Sequence, residues 1–126
     1  MNVVKISHDG AGGSRSSDVA VDFEARPFAA GVPPLLVSQA TSCHAVSFVE
    51  FPPEVRDTEP HPTPRRQFGA VLSGVAETET TDGEVRRLTA GSIVLVEDTL
   101  GRGHVTRVVE APFRIMFVAL DSEPDR

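Results

Sequence analysis

Apolar residues in this chain never settle into a spacing of three and four. They fall into short runs cut by prolines, glycines and Ser-Gly or Asp-Gly pairs. This pattern excludes a helical fold, because a helix buries one face only when apolar side chains recur about every 3.6 residues. Val, Ile and Thr together number 30 against 7 Leu; branched side chains fit the pleat of a strand and lose rotamers in a helix. An all-β fold follows. Strands this short, punctuated at near-regular intervals, predict a barrel or sandwich, where closure removes unpaired edges. A chain of 126 residues supplies one such core.

Strands are predicted at residues 3–6, 19–23, 35–40, 45–51, 67–72, 75–80, 84–88, 92–96, 104–109 and 113–120. The Gly- and Ser-rich stretch 8–18 reads as a loop. Residues 1–18 are therefore an N-terminal arm, 19–120 the barrel and 121–126 a tail. Turns are expected at Ser73-Gly74, at the Asp82-Gly83 hairpin signal and at 89–91. Pro60, Pro62 and Pro64 hold the preceding segment extended. Within 45–51, two-residue alternation sets Val46, Phe48 and Glu50 on one face and Ala45, Ser47, Val49 and Phe51 on the other. Residues 27–49 contain no Asp, Glu, Lys or Arg. Their prolines and polar side chains make a membrane-spanning helix costly, so the stretch reads as buried strands of a soluble core.

Charge narrows the partners. Eighteen acids against twelve bases give a net charge of -6, which leaves no electrostatic footprint for nucleic acid or an anionic membrane. The basic doublets are Arg65-Arg66 and Arg86-Arg87, and cross-strand pairing with Glu77, Glu79 and Glu84 accounts for the second. One cysteine excludes an intramolecular disulfide and a Cys-based zinc site; Cys43 reads as a buried structural residue. Residues 1–10 lack a basic segment followed by an apolar one, so a cytoplasmic location is expected.

His61, Thr63, Gln67 and Gly74, followed by Gly91 opening the apolar run 92–96 and by His104 after the turn 97–103, resemble the two motifs of the cupin superfamily. The local string around His61, with Leu72-Ser73-Gly74 and Asp82-Gly83, looks like a subgroup of small bacterial cupins. The resemblance implies a jelly-roll β-barrel and a small-molecule ligand. It also implies a homodimer that pairs through sheets or exchanged N-terminal strands, with residues 3–6 a candidate for exchange. The family's metal-binding pattern has His where this chain has Thr63, and Glu where it has Gln67. A divalent Fe, Ni, Mn or Zn ion held by His61, Gln67 and His104 is one implied reading, with water, Glu97 or Glu50 completing the set. Its alternative is a cavity lined by the same polar groups without a metal.

Extended geometry running on from the prolines sets His61, Thr63, Arg65 and Gln67 on one face. In a cupin barrel, His104 approaches the same region from a neighbouring strand. Imidazole titrates near ~6.5 and so serves as base or acid at physiological pH. The leading expectation is an isomerase, cyclase or dehydratase acting on a largely apolar substrate. His61 or His104 would be the base, and Gln67 would orient substrate or stabilise an oxyanion. Arg65 or Arg102 would attract a carboxylate or enolate, with Thr63, Phe48 and Glu50 lining the pocket. One carboxylate of Glu97-Asp98 would orient His104 through its second nitrogen. A metal-dependent oxygenase and a non-catalytic ligand-binding protein are the alternatives.

Overall fold

A computed structural model describes residues 1–54 and 59–121. It contains nine strands and, among the described residues, no helix. They are β1 (Asn2–His8), β2 (Ser14–Ala20), β3 (Glu24–Arg26), β4 (Leu35–Val37), β5 (Cys43–Phe51), β6 (Gln67–Thr80), β7 (Val85–Leu88), β8 (Ile93–Val96) and β9 (His104–Leu120). Seven form one sheet in the order β2-β1-β8-β6-β9-β5, with β7 on the remaining length of β6, while β3 and β4 form a separate hairpin. Among the described residues no ladder joins β2 to β5, so these two remain edges where the sequence predicted full closure. The tail expected at 121–126 lies, beyond Asp121, outside the described residues.

The N-terminal residues depart from their sequence reading. Residues 14–20, expected within or just after a loop, pair with β1 in unbroken register from Asn2↔Ala20 to His8↔Ser14. A strand whose inward residues are serines carries no apolar alternation to betray it. Ser14 is held by hydrogen bonds instead, its hydroxyl donating to the Gly103 carbonyl at 2.6 Å. The turn between the strands is closed by Asp9 Oδ1, which accepts from the amides of Ala11 and Gly13 at 2.7 and 2.9 Å. β1 then runs parallel to β8 and buries Val3 and Ile6.

β6 and β9 are each one long strand where the sequence predicted two. Ser73-Gly74 is a bulge rather than a turn: the β6–β9 register slips between Val71 and Ala76. Gly74 has φ +78°, and a Cβ there would lie 2.4 Å from the Pro112 carbonyl oxygen, so the bend needs glycine. Residues on both sides of the bulge, including Val71, Ile115, Ala76 and Val108, meet Ile6, Leu88, Val94 and Phe113 in one core. The two halves of β6 and β9 therefore line the same interior.

Their outer faces differ. Beyond the bulge, Arg107 pairs with Glu79 at 2.7 Å and Arg87 with Glu77 at 3.8 Å. The other half carries two apolar rows in register, Val46/Val118/Phe68/Leu95 and Phe48/Met116/Ala70/Ile93. An antiparallel sheet with one solvated face normally shows polar residues there. The expectation that residues 27–49 are buried is accordingly overturned: Phe28 and Leu36 are each 70% exposed and Phe48 is 74% exposed. Cys43 is exposed as well. An uncharged sequence signals burial against something, and here nothing within the described chain covers it. No helix among the described residues is long and apolar enough to cross a membrane.

Candidate active site

Val49, Phe51, Val96 and Phe117 form the apolar walls of a cavity of about 320 Å³, and His61, Thr63, Arg65, Gln67 and His104 supply its main polar groups. An adjoining void of about 40 Å³ shares Phe51, Val96, His104, Thr106 and Phe117. The alternation of β5 admits Ser47, Val49 and Phe51 to this interior and turns Phe48 and Glu50 away. Phe48 and Glu50 are therefore not lining residues. Val49 pairs with the buried Ile115, so its neighbours must face outward, where Glu50 meets Arg114 at 2.8 Å. Parity alone defines two faces without saying which is inside. Arg102 is also misplaced by the sequence reading. It sits exposed on the loop before β9 and lines a different depression with Pro60 and Arg107.

A backbone clasp brings the two imidazoles together. His61 and His104 exchange amide-to-carbonyl hydrogen bonds of 3.1 Å in both directions, and the Thr63 amide donates to the Asp98 carbonyl at 3.1 Å. The close approach requires Gly103, which has φ +76° and whose Cβ would lie 2.0 Å from the His61 carbonyl oxygen. The rings stand 6.0 Å apart, tilted by 31°. His61 is exposed at the mouth, its Nδ1 3.4 Å from the Glu59 carbonyl oxygen. His104 is only 8% exposed.

Of the two adjacent carboxylates, it is Asp98 that orients His104. Asp98 is fully buried and its Oδ2 lies 2.5 Å from His104 Nδ1. An ionised carboxylate can only accept, so the neutral ring carries its proton on Nδ1 and its lone pair on Nε2. Asp98 Oδ1 has no hydrogen-bond partner among the described residues. Gln67 is 8% exposed, with its Nε2 directed at Thr63 Oγ1 at 3.5 Å, and that hydroxyl donates to the Arg65 carbonyl at 2.9 Å. One buried imidazole of defined tautomer thus stands beside a carboxamide donor on an apolar wall, which suits the transfer of a proton at carbon.

Glu97 serves the opposite side of the sheet. It binds Arg66 and, at 3.3 Å, Lys5. Burial pushes its carboxyl up, but the hydrogen bond and charge of Arg66 and the charge of Lys5 outweigh that and hold it below the ordinary range. The resulting stabilisation is present above the unfolded value of about 4.3 and is lost as pH falls through the lowered folded value. Glu97→Gln is expected to cost about 1–2 kcal/mol at neutral pH. In urea melts, the gap between variant and wild type should close in strong acid.

A curled, largely antiparallel sheet here carries an apolar cavity into which polar groups converge. The cupin domain family model matches residues 47–119, more than half of the chain, and the protein belongs to that family. A search of curated proteins found no match. The donors present do not fit the divalent metal that the fold implies. No group of three His, Cys, Asp or Glu side chains converges among the described residues, and Asp98, the carboxylate nearest the imidazoles, is committed to His104 Nδ1. Two imidazoles and a neutral carboxamide lack the anionic ligand such ions favour.

Proposed function

We propose that this cupin is an enzyme that moves protons on a largely apolar carbonyl compound, as an isomerase, cyclase or dehydratase. The observation that carries the reading is the buried Asp98–His104 pair, whose Nε2 is left available at an apolar cavity. In the reaction, Nε2 takes a proton from the carbon next to the carbonyl, and the C–H electron pair moves into the enolate. The amide of Gln67 donates to the developing oxyanion. The proton then returns to another carbon, giving an isomer, to an alkoxide formed in ring closure, or to a departing hydroxyl, giving water. His61 at the mouth is the second acid–base group. Val49, Phe51, Val96 and Phe117 exclude solvent and fix the substrate's conformation.

The test is proton exchange in D2O on a panel of enolisable ketones and β-hydroxy ketones, followed by loss of the α-C–H signal in proton NMR. Catalysed exchange by the wild type, lost in the double variant His61→Ala/His104→Asn, is the expected result. Equal rates for the two proteins would contradict the proposal, and tight retention of an unchanged compound would mark a binding protein instead.

The biological unit we propose is a homodimer formed by the two apolar rows on the outer face. The two apolar rows are self-complementary about a two-fold axis, with the Glu50–Arg114 pair at their margin, and monomers rarely leave so continuous an apolar patch in water. Sedimentation at micromolar concentration is expected to give a dimer, and Phe48→Glu a monomer. A monomeric wild type would refute the pairing.

A further inference from the structure

A second cavity, of about 740 Å³, lies on the outer side of β1 and β8, where Lys5, Arg15, Arg65 and Arg66 meet with Glu97 as the one acidic side chain. Four permanent cations and one carboxylate line it, with Asp121 bound to the lining His44 at 2.8 Å, a balance that runs against the composition of a chain with net charge -6. Glu97 is already committed to Lys5 and Arg66. Arg15 and Arg65 are exposed and have no ion-pair partner among the described residues. A concave surface focuses such a field, and a guanidinium fork matches the paired oxygens of a carboxylate or phosphate. Arg65 also lines the cavity of His104 and Gln67. The same residue therefore forms part of the wall of both.

We propose that the basic cavity holds the oxyanion group of the substrate while the apolar body lies against Val49, Phe51 and Phe117, with Arg65 at the junction. The substrate class is an amphipathic organic acid, its head a carboxylate or a phosphate monoester. This rests on reading the His104 cavity as the substrate site. Arg15 belongs to β2, so a strand without apolar alternation acquires a role as one wall of the anion site. Lys5 and Arg66 keep Glu97 neutralised, which leaves the field at Arg15 and Arg65 uncancelled.

Calorimetry with octanoate, octyl phosphate and octanol, which share one apolar body, tests the proposal. One or both anions are expected to bind at least about 10-fold tighter than octanol, the tighter of the two identifying the head group. The advantage should shrink with salt and disappear in Arg15→Gln/Arg65→Gln; Arg15→Gln alone, outside the His104 cavity, should reduce it while octanol affinity stays unchanged. Both positions are exposed, so the double variant is expected to unfold at the wild-type urea midpoint. Equal affinity for octanol and both anions, or an undiminished anion advantage in the variant, would overturn the assignment. Binding is read without turnover. A failed deuterium exchange with intact anion preference therefore refutes only the acid–base chemistry, and the converse refutes only the anion site.

Discussion

Replacing His104 by Asn is expected to slow α-deuterium exchange by about 10²–10⁴-fold while the protein still unfolds in one cooperative step. Asn is the informative substitution because its amide nitrogen can occupy the place of Nδ1 and keep donating to Asp98. Alanine would strand a fully buried carboxylate, at a cost of about 3–5 kcal/mol, and would confuse lost chemistry with lost folding. Asp98→Asn should lower the rate by about 10–100-fold, since a carboxamide can present a donor to Nδ1 and select the wrong tautomer. His61→Ala is expected to cost less than either, because that ring is exposed and its hydrogen-bond contact to the Glu59 carbonyl is long at 3.4 Å. Exchange at the wild-type rate in His104→Asn would remove the imidazole from the reaction.

Gly103→Ala is expected to destabilise the protein by about 2–4 kcal/mol. Roughly 1–2 kcal/mol comes from holding a side chain at positive φ, and the rest from displacing the His61 backbone, whose carbonyl oxygen lies 2.0 Å from the new Cβ. Gly91→Ala separates the two contributions. Gly91 has φ +92° with nothing within 4 Å of its would-be Cβ, so that variant should lose only the conformational part. The difference in urea midpoint between the two measures the close approach that clasps His61 to His104. Equal losses would mean that the His61 segment yields freely, and that the spacing of the two rings is not imposed by the backbone.

What the sequence revealed follows from which physical signals are local. Branched residues and turn pairs mark strands within a few neighbours, so the all-β class and most strand positions could be read directly. His61, Thr63, Arg65 and Gln67 share one cavity, although the chain bends at Pro64 and Arg65 instead of running extended into β6. Facing is not local. Phe48 and Glu50 have the same two-residue parity whether they point in or out, and only the pairing of Val49 with the buried Ile115 and of Glu50 with Arg114 decides it. Length is equally non-local: Ser73-Gly74 has the composition of a turn, yet Pro112 and Glu110 opposite make it a bulge within a continuous strand. β2 was hidden because hydrogen bonds from Ser14 and pairing with β1 hold it where apolar side chains usually would. Lys5 and Arg15 gave no sign of the basic cavity, since nothing in the sequence brings them beside Arg65.

Two dipeptides, Arg66-Gln67 and Glu97-Asp98, each send one side chain to the solvent-side basic hollow and the next inward, Gln67 to the chamber wall and Asp98 to His104. The outer members grip each other, as Arg66 with Glu97. The inner members flank the buried imidazole, Gln67 on the chamber wall and Asp98 on Nδ1 of His104. A single peptide unit thus separates the rivet from the tool it steadies. Engineers altering Arg66 or Glu97 from outside would be turning the same screws that set the angle of the imidazole. Selection acting on one compartment must therefore drag the other with it.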